Sequence, residues 1–68
     1  MKSIDVFFHS IEEVKEFITI VGNMKGECIL SDGRHFVNAK SIMGVFCLNL
    51  TSVLKLEIEK WEEKLNRS

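Results

Sequence analysis

The chain has 68 residues and a formal net charge of -1, and 46% of its residues are hydrophobic. A chain of this length forms one small domain of limited stability, because folding buries only about 60% of the surface that the unfolded chain exposes. The 28% of charged residues is ordinary for a globular protein, and lysines alternate with glutamates along the sequence. These values do not suggest a disordered chain, and they argue against a basic nucleic-acid-binding domain.

The apolar runs of the chain are too short to span a bilayer. Residues 1–10 include Lys2 and Asp5 and lack the apolar stretch and small-residue cleavage site of a signal peptide. We therefore expect a cytoplasmic protein that does not insert into a membrane, with a single domain over residues 1–68.

Two cysteines, Cys28 and Cys47, each lie between apolar neighbours. In a cytoplasmic protein this favours a pair of buried free thiols, and a disulfide stays open if the fold brings the two together. The cysteines and histidines have neither C-x-x-C nor H-x3-H spacing, so we expect no metal site.

The first part of the chain predicts a strand followed by an amphipathic helix. Residues 3–8 (SIDVFF) alternate between polar and apolar positions, which is typical of a strand. Ser10 and Glu13 have the spacing of a capping box, and a helix is expected over 11–21. Its apolar face consists of Val14, Phe17, Ile18 and Val21.

A β-hairpin is predicted next. Residues 27–30 and 34–37 have strand character, and Asp32-Gly33 lies between them. Asp-Gly is a strong signal for a tight turn because both central positions tolerate positive φ.

The segment 40–50 (KSIMGVFCLNL) predicts a short, largely buried helix over 42–48. Ser41 would be its N-cap and Asn49 its C-cap. Gly44 in the middle of this helix costs about 1 kcal/mol of helix propensity relative to alanine, which suggests that another group packs closely against it.

The last predicted strand lies in residues 52–59 (SVLKLEIE), whose alternation turns Leu54, Leu56 and Ile58 inwards. The tail could form two turns of helix, with Trp61 and Leu65 on the core side. The predicted order is β-α-β-β-α-β-α. It indicates an α+β fold, an open-faced β-sandwich in which helices cover one face of a four-stranded antiparallel sheet.

Residues 32–50 (DGRHFVNAKSIMGVFCLNL) resemble the middle of HPr, the histidine-containing phosphocarrier of the bacterial sugar phosphotransferase system. The motif K-S-I-M-G at 40–44 is the most specific part of the resemblance, which is to HPr of Gram-positive type and covers most of the chain. The predicted element order is also that of HPr. The chain looks like a short HPr-like protein.

The resemblance places His9 at the position of the phosphoacceptor histidine. Where HPr continues with Ala-Arg-Pro, this chain has Ser10-Ile11-Glu12, so the arginine that assists the phosphate is missing. Glu12 and Glu13 also put negative charge where a phosphate would lie. His9 is therefore either a phosphocarrier residue or an exposed histidine in a degenerate site, and the local charge favours the second interpretation.

The resemblance also implies a role for Ser41. The matching serine of Gram-positive HPr is phosphorylated by a dedicated HPr kinase, and the product binds a transcriptional regulator. A phosphate on a helix N-cap is compatible with the helix, and Lys40 adds a neighbouring cation. The alternative is that Ser41 only caps the helix, and the sequence leaves both interpretations open.

The apolar residues after Ser41 correspond to the surface on which HPr docks its partner enzymes. We expect Val45 and Leu48 to point inwards and Met43 and Ile42 to be partly exposed. The candidate docking residues are Lys40, Ile42, Met43, Val45 and Phe46.

No nucleophile–base pair, paired carboxylates or phosphate-binding glycine loop indicates an independent enzyme, and no cofactor is expected. The expected function is regulatory or protein-binding, through the Ser41 helix and in connection with the phosphotransferase system. The alternatives are a phosphocarrier that acts through His9 and a structural relic that is not phosphorylated.

Overall fold

The computed structural model describes residues 2–59, which form four strands and two helices. The strands are β1 (Lys2–Val6), β2 (Cys28–Ser31), β3 (Phe36–Asn38) and β4 (Leu54–Ile58), and the helices are α1 (Ile11–Gly22) and α2 (Ile42–Phe46). The tail helix predicted around Trp61 and Leu65 lies outside the described residues.

The strands form one antiparallel sheet in the order β1-β4-β2-β3. Leu56 of β4 pairs with Ile4 of β1 on one side and with Leu30 of β2 on the other. Residues paired in this way point to the same face of a sheet, so the apolar positions of the strands share one face. The predicted four-stranded antiparallel sheet is confirmed.

The core lies between this apolar face and the two helices. Buried side chains from the sheet and the helices form one cluster, which contains Phe8, Val14, Val21, Cys28, Leu30, Ala39, Val45, Leu48, Leu54, Leu56 and Ile58. Phe17 and Ile18 of α1 are partly buried against it, so the predicted apolar face of this helix is confirmed. The two described helices cover one face of the sheet, and the α+β open-faced sandwich is therefore confirmed.

Both helices begin at a serine cap, as the sequence predicts. The Ser10 hydroxyl accepts a hydrogen bond from the Glu13 N–H at 3.2 Å, and the Ser41 hydroxyl accepts one from the Gly44 N–H at 3.2 Å. A side-chain acceptor at this position satisfies an N–H that would otherwise have no partner in the helix.

Helix α2 is shorter than predicted. It ends at Phe46 with Cys47 as its C-cap, so the prediction of Asn49 as C-cap was wrong. The Asn49 N–H instead donates to the carboxylate of Asp32 at 3.1 Å, and this contact joins the segment after α2 to the hairpin.

The predicted hairpin is confirmed, since β2 and β3 pair antiparallel, but only one residue of its turn has a positive φ. Four residues, 32–35, separate β2 from β3, and among the residues described the non-glycine positions all have negative φ. Gly33 has a φ of 95°. The turn is closed by a hydrogen bond from the Asp32 N–H to the His35 carbonyl at 3.4 Å.

Close packing explains the glycine in α2. A Cβ atom at Gly44 would lie 3.2 Å from the Cβ of Val37 in β3. The helix therefore packs so closely on the sheet that an alanine methyl group would fit only with a small shift of its neighbour, and the sequence suggests this close packing.

The two cysteines are free thiols in different environments. Cys28 is buried in the sheet, and Cys47 is exposed at the end of α2. The prediction that both are buried was wrong for Cys47, which follows the exposed Met43 by four residues and so lies on the same outer side of α2. Burial raises the pKa of the Cys28 thiol, while the nearby Lys40 ammonium acts in the opposite direction.

Within residues 2–59, neither helix has the length and apolar character that crossing a bilayer requires.

Candidate functional site

His9 lies in the turn between β1 and α1, and its side chain is exposed. Its imidazole contacts the ring of Phe7 edge-on, with ring centroids 5.1 Å apart. These two side chains line a shallow groove of about 420 Å³, which Ile11, Leu50 and Thr51 also border. The groove makes the imidazole accessible to a partner.

The carboxylate of Glu13 lies at the N-terminus of α1, beside His9. Oε1 of Glu13 accepts a hydrogen bond from the backbone N–H of His9 at 2.7 Å, while the Glu13 N–H donates to Ser10. Glu12 adds a second carboxylate in the same turn. A phosphate on His9 would meet like charge and would have to displace Glu13 to reach this N–H group.

Ser41 lies at the junction of β3 and α2 and is partly buried. Its N–H donates to the carbonyl of Asn38 at 2.9 Å, and its hydroxyl caps α2 through Gly44. The hydroxyl therefore has a structural role in the unmodified protein.

The cation expected beside Ser41 is directed elsewhere. The Lys40 ammonium donates to the carbonyl of Met24, after α1, at 2.6 Å, and the Lys40 N–H donates to the Asn38 side chain. Lys40 thus ties the segment that follows α1 to the start of α2.

The exposed apolar surface of α2 consists of three side chains, Ile42, Met43 and Phe46, called here the α2 ridge. Met43 is the most prominent, with 77% of its surface exposed. Val45 is fully buried, so its inclusion among the docking residues was wrong, because its side chain points into the core. The expectation that Val45 and Leu48 are inside is confirmed.

Two exposed apolar residues near His9, Phe7 and Ile11, were not predicted as site residues. Phe7 breaks the alternation of the first strand at a position expected to be polar. That break was a signal in the sequence, because the alternation places the Phe7 side chain on the side of the strand that faces away from the core.

The residues from 2 to 59 contain no group of three or more histidine, cysteine or acidic side chains placed to hold a metal ion. The chemistry of this surface is therefore that of its exposed imidazole, its serine hydroxyl and its apolar side chains.

Comparison of the sequence with family models and with curated proteins finds no match. Comparison of the structure with solved structures finds HPr-C-His from Thermoanaerobacter tengcongensis, with a TM-score of 0.79. The match covers 96% of this chain and 81% of the other, at 24% sequence identity. This chain has an HPr-like fold.

The HPr-like fold accounts for the arrangement of the candidate residues. His9 precedes the first helix and Ser41 precedes the second, and both helices pack on the same face of the sheet. Both were predicted as candidate site residues from the sequence resemblance, and their roles stay predictions.

Proposed function

We propose that this protein is an HPr-like regulatory or protein-binding domain of the phosphotransferase system, which acts through α2 under the control of Ser41. The observation that carries the proposal is the α2 ridge. Met43 and its neighbours expose apolar surface directly after a capping serine, and contiguous exposed apolar surface marks interaction sites.

Phosphorylation of Ser41 would change this surface without requiring α2 to unfold. A phosphoryl oxygen can accept the hydrogen bond from Gly44 that the hydroxyl now accepts. The modification would add a charge of about -1.5 to -2 beside the ridge. A partner that binds the apolar ridge would therefore distinguish the two forms of the protein.

The proposed partners follow from the resemblance in the motif K-S-I-M-G. They are an HPr kinase that modifies Ser41, and phosphotransferase-system proteins or a transcriptional regulator that bind the α2 ridge. The cytoplasmic location and the Gram-positive type of the domain are part of the same proposal.

Phosphate transfer through His9 is the second candidate function. The accessible imidazole in the groove beside Phe7 favours it. The hydrogen bond between Glu13 and the His9 N–H opposes it, because the carboxylate already occupies the position that a phosphate needs. We therefore rank it below the regulatory function.

Phosphorylation assays distinguish the two functions. The purified protein is incubated with phosphoenolpyruvate and the general phosphotransferase enzyme, and separately with ATP and HPr kinase, and each product is read by intact mass. We expect one acid-stable phosphate from ATP, lost in Ser41→Ala and retained in His9→Ala. Ser10→Ala is the matched control, because Ser10 caps α1 with the same geometry.

The opposite pattern would reverse the ranking. An acid-labile phosphate from phosphoenolpyruvate, lost in His9→Ala and enhanced in Glu13→Gln, would show that the protein is a phosphocarrier. If neither donor modifies the protein, regulation by phosphorylation is refuted.

The role of the α2 ridge is tested by the rate of phosphorylation at a low concentration of kinase. We expect Met43→Asp to lower this rate at least tenfold. Ile20→Asp is the control, because Ile20 is similarly exposed but lies on α1. Equal rates in the two variants would show that the kinase does not use the ridge.

A further inference from the structure

The face of the sheet opposite α1 and α2 is covered by neither helix. By strand register, Asp5, Lys55, Ser31 and Phe36 lie in one row across this face, and the row beside it contains Glu57 and Ile29. This surface is called here the open face.

The open face carries an exposed aromatic ring that lines one side of a hollow. Phe36, on the edge strand β3, is 70% exposed, and Val53, just before β4, is 61% exposed. Between them is a depression of about 310 Å³, which Ile29 also lines and whose lining is mostly apolar. An exposed aromatic side chain next to an apolar hollow is costly to leave in water.

Charge is distributed unevenly along the open face. At the end where β4 finishes, Glu27, Glu57 and Glu59 surround Ile29 in a smaller depression of about 90 Å³. The backbone N–H of Glu27 donates to the Glu59 carboxylate at 3.0 Å, which holds the Glu59 side chain beside Glu27. Within residues 2–59, three carboxylates therefore meet at this end.

The opposite end of the open face lacks this excess of negative charge. Lys55 and Asp5 form an ion pair at 3.8 Å, and the Asp32 carboxylate accepts hydrogen bonds from two backbone N–H groups of the hairpin and from that of Asn49. Arg34, in the same hairpin, is exposed and forms no ion pair within residues 2–59. It is available to an acidic partner.

We propose that the open face binds a second copy of this chain, with a two-fold axis perpendicular to the strands. In a two-fold interface the same patch of both copies is in contact. The patch must therefore contain both an exposed apolar side chain and a hollow that can accept it, and Phe36 with its depression meets this condition. Each Phe36 ring fills the hollow of the other copy, and each Arg34 approaches the acidic end of the other.

The charges select this orientation over the alternative. A two-fold axis parallel to the strands would place the carboxylates of Glu27, Glu57 and Glu59 over the same carboxylates of the second copy, which is repulsive. The perpendicular axis separates them and brings each acidic end near an arginine. Because four short strands offer less than the roughly 800 Å² per partner of a standard interface, the dimer is weak.

Sedimentation velocity over protein concentrations from about 10 µM to about 1 mM tests the proposal, since small interfaces dissociate in this range. We expect a dimer fraction that rises with protein concentration. The association constant should fall at least tenfold in Phe36→Asp and in Arg34→Glu. The double variant with Arg34→Glu and Glu57→Arg should recover most of the loss, because the ion pair is then reversed.

Ile20→Asp and Met43→Asp are the controls, because both residues are exposed apolar side chains of helices on the other side of the sheet. Both should associate like the unmodified protein. A monomer at every concentration overturns the proposal. So does a dimer that Phe36→Asp leaves intact or that Met43→Asp disrupts, since another surface would then be responsible. The result does not depend on whether Ser41 is phosphorylated.

Discussion

Asp32 shows how one side chain can connect separate parts of a small domain. Its Oδ1 accepts hydrogen bonds from the N–H groups of Arg34 and His35, and its Oδ2 accepts one from Asn49. The side chain is only 6% exposed. These bonds favour the ionised form and hold the pKa of the Asp32 carboxyl well below its usual range.

The lowered pKa predicts a contribution to stability that depends on pH. The contribution is fully present above the pKa of an unfolded aspartate, about 4, and is lost as the pH falls below it towards the folded pKa. We expect Asp32→Asn to be less stable than the unmodified protein at pH 7, because the amide cannot accept from Asn49. The difference should shrink between pH 5 and pH 2.

Urea unfolding at several pH values measures this difference. Asp5→Asn is the control, because Asp5 is exposed and its ion pair with Lys55 spans 3.8 Å at the surface. A deficit of Asp32→Asn that stays constant down to pH 2 would contradict the assignment of the lowered pKa.

At the scale of elements, α2 depends on its surroundings. Five residues are too few for a helix that is stable in isolation. Its cap at Ser41 and the contact of Gly44 with Val37 hold it in place. The same contact determines how far the α2 ridge stands out from the sheet, and therefore what a partner can touch.

Two glycine substitutions test this packing. Gly44→Ala gains helix propensity but places a methyl group 3.2 Å from the Val37 Cβ, which is fixed to a strand and cannot rotate away. We expect a net loss of about 1 kcal/mol in the free energy of unfolding. A Cβ atom at Gly22 would have no neighbour within 4 Å, so Gly22→Ala should raise the free energy of unfolding by about 0.5 kcal/mol.

Denaturation by urea compares the two glycine variants with the unmodified protein. The changes in the free energy of unfolding should have opposite signs in the two variants. An increase in stability for Gly44→Ala would mean that α2 can move away from β3 at little cost.

On the scale of the whole molecule, one apolar layer between the sheet and the helices supports the fold. Leu56 lies at its centre, paired with strands on both sides and 2% exposed. A domain of this length has only a few kcal/mol of net stability, so a central cavity has a large effect.

Leu56→Ala should therefore leave much of the protein unfolded. We expect a loss of about 3 kcal/mol from the removed side chain and the remaining cavity. Ile4→Ala is the matched comparison on the neighbouring edge strand. It should cost clearly less, because Ile4 is partly exposed. Circular dichroism with urea titration measures both, and equal losses would contradict a core centred on β4.

The fold was largely predictable from local patterns. Alternation over the last strand, the helical spacing from Val14 to Val21 and the two serine caps all predict elements that the structure contains. These signals are local, since each depends on residues within one element. The end of α2 was predicted incorrectly, and the bond between the Asp32 carboxylate and Asn49, which joins the following segment to the hairpin across 17 residues of sequence, was not predicted.

The candidate site, like the fold, combines features that the sequence predicts with features that only the structure shows. The motif K-S-I-M-G singled out Ser41 as a candidate, and the sequence resemblance singled out His9 before the first helix. The order of residues is enough to find both candidates, because such motifs are contiguous in the chain. The sequence already indicated that carboxylates near His9 would repel a phosphate, and the structure adds the hydrogen bond from the His9 N–H to Glu13.

Only the tertiary structure decided which side chains are available. It directed the Lys40 ammonium to Met24, buried Val45 and exposed Cys47. It also left Phe36 uncovered beside a hollow on the open face. The physical reason is that exposure and hydrogen-bond partners depend on which elements pack together, and residues distant in sequence determine that packing.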